Sequence, residues 1–285
     1  MKHKLNFQLW LITLIFYFNF FPNFSVKAET ILEEINRTGL LKVGVRTDAI
    51  PFGYRNNNSE LQGICFDLIA LIREQLRKKI NRNIISVNIV ISRLSNRFEL
   101  VQDGIVHLEC GPNTIRTIDD YKVTFSKDFF ISGIQFFVKE NMAPKFLNSD
   151  GTNLNIGLLR YTNTEILIKE KYPKATFQLF QGMRGTQRAL QAVRQGTIDG
   201  FADDGILLIG ESIAQQIFLG KSQGYVLTPQ PPLTCEKYGL IIPKNDPSWE
   251  NFINTILNSE EKNQLLKNWF RSFNNELNLS QNNCN

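Results

Sequence analysis

The sequence predicts an α/β protein whose sheets are mostly parallel and flanked by helices. Three observations carry that expectation. Short apolar runs of strand length alternate with segments of helical apolar spacing along most of the chain. Glycines close several of the helical segments, and polar clusters follow the strands. No low-complexity linker interrupts the alternation, so two lobes would be joined by ordered crossings.

Taken in order, residues 30–37 have helix-forming composition and stop at Gly39, and residues 40–48 read as a buried strand ending in Arg46-Thr47-Asp48. Pro51-Phe52-Gly53-Tyr54 opens a loop, and Asn56-Asn57-Asn58 makes a turn. Apolar residues at 66, 68, 69, 72 and 76 give a helix over 66–78, followed by a strand at 87–91. A short helix over 96–103 ends at Gly104, and residues 105–111 form a third strand. The second half repeats the pattern. Strands are expected at 133–139, 154–160, 177–180 and 197–204, with helices after residue 160, over 184–195 and near 206–216. Residues 238–244 supply one more strand. Residues 249–273 form a helical tail with an apolar stripe of Trp249, Phe252, Ile256, Leu265, Leu266, Trp269 and Phe270.

The N-terminus reads as an export signal. Lys2 and Lys4 precede the apolar run Leu9–Phe21, and the small-x-small exit Val26-Lys27-Ala28 follows. Cleavage after Ala28 leaves residues 29–285, enough for two lobes with real cores. An uncleaved anchor is the alternative, but the run is short for a span of about 20 apolar residues. The formal charge of +5 falls when Lys2, Lys4 and Lys27 leave with the signal, giving 29 basic against 27 acidic residues. The charges are interspersed, which argues against a nucleic-acid partner. Of the four cysteines, Cys65, Cys110, Cys235 and Cys284, none forms a C-x-x-C pair, so neither a zinc site nor another metal is implied. Export makes a disulfide plausible, and counting alone leaves its pairing open. Cys284, next to the end, is expected to stay unpaired.

In parallel sheets, ligands sit beyond the carboxyl ends of strands, where helix N-termini offer free N–H groups. The strand ends here are Arg46, the turn Gly111-Pro112-Asn113-Thr114, the turn Tyr161-Thr162-Asn163-Thr164, and Asp203-Asp204. Arg97 and Phe52 join them from neighbouring segments. Guanidiniums for carboxylates, a carboxylate for an ammonium and an aromatic wall suit a small zwitterion. They suit catalysis poorly, because His3 lies in the signal and His107 sits mid-strand, where it reads as structural.

These residues also carry a resemblance. Val43-Gly44-Val45-Arg46-Thr47-Asp48, Pro51-Phe52-Gly53-Tyr54, Leu61-Gln62-Gly63, Asp67, Ser95-Asn96-Arg97, Glu109-Cys110-Gly111, Thr124-Phe125-Ser126, Asp203-Asp204 and Tyr238-Gly239 occur in the order seen in the family 3 extracellular solute-binding proteins. These are the amino-acid-binding components of ABC importers. The resemblance runs from about Ile31 to Trp269 and is nearest to the glutamate/aspartate-binding branch. It implies a two-lobed clamshell of the periplasmic-binding-protein type II. Residues 29–132 and 234–285 would form a discontinuous first lobe, residues 133–233 an inserted second one, and two crossings the hinge. It further implies a monomeric, cofactor-free periplasmic protein that closes on its solute and meets a membrane permease.

Carried over position by position, the resemblance puts Arg46 and Arg97 at the ligand's side-chain carboxylate and Phe52 at the aromatic wall. Pro112 and Thr114 would meet the α-carboxylate, and Thr162, Asn163 and Thr164 would contribute from the second lobe's helix start. Asp204 would take the ammonium, with Asp203 as the alternative. The family topology also suggests a disulfide between Cys110 and Cys235. The sequence departs from the pattern at Asp119, where the family has an arginine that holds the α-carboxylate; Arg116 is the candidate substitute. Leu94 likewise replaces a polar residue. Blander roles compete throughout. Arg46 could cap a strand at the surface, and Asp203-Asp204 could cap a helix. Two other functions remain on the same fold: an exported dehydratase using a cleft carboxylate, and a ligand-sensing module for a membrane receptor.

Overall fold

The computed structural model describes residues 28–272, apart from residues 57 and 221. The export signal expected over residues 1–28 lies outside the described residues except for Ala28, and Cys284 lies outside them as well. In chain order the strands are β1 (Leu40–Arg46), β2 (Asp48–Ala49), β3 (Gly53–Arg55), β4 (Leu61–Gln62), β5 (Ser86–Ser92), β6 (Leu108–Cys110) and β7 (Val123–Ser132). There follow β8 (Ile134–Lys139), β9 (Asn155–Leu159), β10 (Thr176–Phe180), β11 (Gly200–Asp204), β12 (Tyr225–Thr228) and β13 (Glu236–Pro243). The helices are α1 (Ile31–Thr38), α2 (Ile64–Lys79), α3 (Arg97–Gln102), α4 (Ala143–Phe146), α5 (Asn163–Lys171), α6 (Gly185–Gln195), α7 (Gly205–Ala214), α8 (Pro247–Leu257) and α9 (Glu260–Ser272).

Two five-stranded sheets organise the chain into two lobes. The first has the order β5-β1-β6-β13-β7 and the second β10-β9-β11-β8-β12. Each sheet is mixed rather than mostly parallel. β1 runs parallel to β5 and β6, but β13 is antiparallel to both β6 and β7. The second sheet repeats this, with β9 parallel to β10 and β11, and β8 antiparallel to β11 and β12. The antiparallel pairs come from the crossings. The chain passes from β7 in one sheet straight into β8 in the other across Gly133, and β13 carries it back.

Local sequence explains the elements. Thr30 and Glu33 form a reciprocal capping box at the start of α1, and Gly39 ends the helix at φ 70°, a left-handed conformation that costs glycine nothing. In the first lobe Leu41, Val43 and Val45 of β1 are fully buried, as are Ile64, Ile72 and Leu76 on the inner face of α2. The C-terminal stripe packs against this core, as its spacing predicts. The tail is two helices rather than one, because Ser259 accepts the backbone N–H of Lys262 and starts a new helix after residue 258. Trp249 is completely enclosed and donates from Nε1 to the carbonyl of His107 at 2.9 Å. His107 is structural: its Nδ1 accepts the Lys42 N–H at 3.1 Å, and its Nε2 lies 3.4 Å from Glu34.

The disulfide joins Cys65 to Cys110, with Cα atoms 5.7 Å apart, and so corrects the expected Cys110–Cys235 pairing. Cys65 lies in the first turn of α2, where its N–H is held by the carbonyl of Phe52 at 2.9 Å. That anchors the helix start over β6, and both cysteines are buried in the same core. Cys235 is itself disulfide-bonded and is not the partner of Cys110. Among the described residues no helix is long and apolar enough to cross a membrane.

Candidate functional site

The carboxyl ends of β1 and β6 in one lobe, and of β9 and β11 in the other, bring a dense set of buried charges together. Arg46 closes β1 and is 3 % exposed. Its Nε donates to Asp48 Oδ1 at 2.9 Å. The β2–β3 hairpin folds back so tightly that a Cβ on Gly53 would stand 2.0 Å from the Arg46 carbonyl, so glycine is required there. Burial works against the Arg46 charge, but Asp48, Glu109 and Asp203 together raise its pKa. Glu109, the middle residue of β6, is completely buried and accepts from Ser92 Oγ and Asn113 Nδ2, both at 2.6 Å. Burial nonetheless pushes its pKa up.

Arg97 opens α3 and spans the two lobes. Its Nη1 donates to the carbonyl of Leu94, and its Nη2 crosses the cleft to the carbonyl of Tyr161 at 2.9 Å. Its Nε is buried without a hydrogen-bond partner among the described residues. The guanidinium lies 4.6 Å from the Phe98 ring centroid, and that of Arg116 lies 5.7 Å from the same centroid. Burial first, then the proximity of Arg46 and Arg116, lowers the Arg97 pKa to about 9. Three guanidiniums thus gather at one end of the site.

Two more buried carboxyls stand close enough to Arg46 to feel its charge. Asp203 and Asp204, the last two residues of β11, are 3 % and 5 % exposed. Asp203 Oδ1 accepts the N–H of Asp204 at 2.9 Å, and Asp204 Oδ2 accepts a hydrogen bond from the Tyr238 hydroxyl. Asp203 Oδ2 and Asp204 Oδ1 are buried without partners among the described residues. Burial raises Asp203 to about 7, and burial together with Asp203 raises Asp204 well above the carboxylate range. Glu236, at the start of β13, accepts from Asn163 Nδ2 at 3.0 Å and makes a second polar link between the sheets' segments.

The remaining residues singled out from the sequence divide. Pro112 is buried and Thr114 is half-buried in the turn after β6, where Thr114 bridges to Tyr238. Thr162 caps α5, accepting the Glu165 N–H at 3.0 Å and donating to the Leu159 carbonyl at 2.8 Å, so its hydroxyl is committed within its own lobe. Thr164 is buried beside it. Phe52 does not form an open wall. Its ring is fully enclosed by Phe129, Phe130 and Tyr238, at centroid distances of 6.1, 5.2 and 5.4 Å, and belongs to the first lobe's core. Asp119 is exposed and Arg116 half-buried. Sequence reasoning missed Asp48, Ser92, Glu109, Glu236 and Tyr238 as parts of the charge network, while Asn113 lay in a turn it had placed at the site. Glu109 had a legible signal, a carboxylate between the core positions Leu108 and Cys110.

A crevice of about 290 Å³ opens beside this network, with Asp48, Leu94 and Ser95 on one wall and Arg160, Tyr161 and Met183 on the other. A larger groove of about 1050 Å³, between Tyr54, Asp67 and Trp269, shares no residue with the network. Among the described residues no cluster of His, Cys, Asp and Glu could hold a metal ion.

Comparison with known proteins adds four findings. The model of the bacterial extracellular solute-binding proteins, family 3, matches residues 41–273. A glutamate/aspartate import solute-binding protein of Salmonella typhimurium is 25 % identical over 85 % of this chain and 79 % of its own length. An ABC transporter glutamine-binding protein of Bacillus subtilis is 24 % identical over 80 % of each. Among solved structures, an ancestral amino-acid-binding protein described as a precursor of cyclohexadienyl dehydratase superposes with a TM-score of 0.69. At 24 % identity it covers 85 % of this chain and 99 % of its own, and this likeness establishes the fold.

Proposed function

The chain belongs to the bacterial extracellular solute-binding proteins, family 3, and from that premise we propose that it binds glutamate or aspartate between its lobes and delivers it to an ABC importer. Residues 1–28 would direct it to the periplasm, and it would act there as a monomeric binder without turnover. The observation that carries the reading is Arg97. A buried guanidinium whose Nε has no hydrogen-bond partner among the described residues, crowded by Arg46 and Arg116, calls for an anion. An acidic amino acid brings two carboxylates to three guanidiniums and one ammonium to the Asp203–Asp204 end. Arg116 then stands in for the arginine that Asp119 replaces. Closure is favoured because Arg97 meets the second lobe through the Tyr161 carbonyl, so ligand and lobe engage the same side chain.

Isothermal titration against glutamate, aspartate, glutamine and arginine tests this. Glutamate or aspartate should bind at least tenfold more tightly than glutamine, and Arg97→Met should abolish that binding. Tight arginine binding with none for glutamate would replace the proposed ligand with a cationic one. A second reading, a dehydratase, draws on the same buried carboxyls, whose raised pKa suits a general acid. Turnover of a cyclic hydroxy acid by the purified protein would favour it.

A further inference from the structure

An ammonium needs one carboxylate to balance it, and this cleft offers two in succession. Asp203 and Asp204 are both more than nine-tenths buried, and each keeps one oxygen without a partner among the described residues. The charged and titratable groups around them are Arg46 and Asp48 from the end of β1 and β2, and Glu236 and Tyr238 from β13. Arg46 is the one cation in that set, and its Nε is already given to Asp48. A second demand on Arg46 comes from Glu109. Two adjacent buried carboxyls with so little countercharge do not both ionise, and the pair retains a proton when no ligand is bound.

We propose that the Asp203–Asp204 pair selects for amine-bearing solutes by proton exchange: the incoming ammonium displaces a proton held by the pair. The inference rests on the reading of the cleft as an acidic amino-acid site. The exchange balances. One positive charge enters on the solute's ammonium and one leaves to solvent as a proton, so the buried charge of this end is unchanged. The dicarboxylate of the same length without the amine, glutarate, displaces nothing. It is accommodated only while the pair stays protonated, and its binding worsens as the pair ionises. The elevated pKa of both carboxyls agrees with a proton held near neutrality. Asp203 is then the specificity-determining residue, because Asp204 alone, bonded to Tyr238, would pair with the ammonium without needing a second acid.

The test is isothermal titration of the purified protein with L-glutamate and with glutarate, in phosphate and in Tris, from pH 6 to pH 8. Buffer-dependent heat reports protons exchanged. Glutamate should release about one proton at pH 7, and its affinity should weaken by up to about tenfold per unit of pH decrease. Glutarate should release none, and the ratio of the two dissociation constants should narrow as the pH falls. Asp203→Asn should remove the buffer dependence of the glutamate heat and flatten the pH dependence of its affinity, because Asp204 alone then meets the ammonium. Tight glutamate binding with identical heats in the two buffers overturns the exchange and leaves the transport reading standing. Absence of glutamate and aspartate binding at every pH overturns both.

Discussion

Asp203 should cost the ligand-free protein stability at neutral and higher pH, and removing its charge should return that stability. Burial raises the Asp203 carboxyl from its ordinary 3.8 to about 7. The folded chain therefore holds this proton over a range where the unfolded chain has already lost it. A group raised in this way contributes stability that is fully present below its unfolded pKa and is lost as pH climbs through the folded value. Working across a gap of that size, the loss reaches about 4 kcal/mol between pH 4 and pH 8. Asp203→Asn keeps the shape and the acceptor for the Asp204 N–H but never ionises. Ligand-free variant and wild type should melt together near pH 4. At pH 8 the variant should melt higher by roughly 8–16 °C, taking about 2–4 °C per kcal/mol for a chain of this size. Thermal melts by circular dichroism at the two pH values decide it. A variant that is equally stable or less stable at pH 8 refutes the argument that Asp203 carries an uncompensated buried charge.

Further expectations follow from other parts of the structure. Arg97→Met should raise ligand-free stability by about 1–3 kcal/mol, since a poorly compensated buried charge is replaced by an apolar chain, while glutamate binding is lost; melts and titration read the two effects separately. Replacing both Cys65 and Cys110 by serine frees a loop with a sequence separation of 45 and should cost about 4 kcal/mol in denaturant unfolding. Trp249→Ala should cost about 3–5 kcal/mol by the same assay, because the completely enclosed indole leaves both a cavity and an unmet acceptor at the His107 carbonyl.

The sequence was most readable where one strand or helix decided its own fate. An apolar run that breaks off at Arg46, or at Asp203 and Asp204, marks a strand whose end faces something polar, and those residues do meet in the charge network. It was least readable where distant segments converge. Phe52 sits in a loop whose Pro and Gly neighbours suggest exposure. Only the folding of Phe129, Phe130 and Tyr238 around its ring turns it into core. Strand β7 escaped notice because its burial alternates irregularly and it carries Lys127 and Asp128, and its partner β13 pairs with register shifts near Gly239. The disulfide was missed for a related reason. Cys65 gains its partner from the way α2 starts over β6, a packing fact that no spacing between cysteines encodes. The break in the C-terminal tail has no Gly or Pro to announce it, only a serine that takes up the next helix's N–H.

The strand order of the first sheet has a bearing on how the molecule is assembled. Strand β7 is attached to that sheet only through β13, yet some hundred positions of chain, including the whole second sheet, are synthesised between them. The covalent link between Cys65 and Cys110, by contrast, closes inside the stretch made first, around strands β1, β5 and β6. A chain emerging N-terminus first therefore has its staple within reach while its sheet still lacks two members, and the last strand to arrive is the one that locks the edge in place.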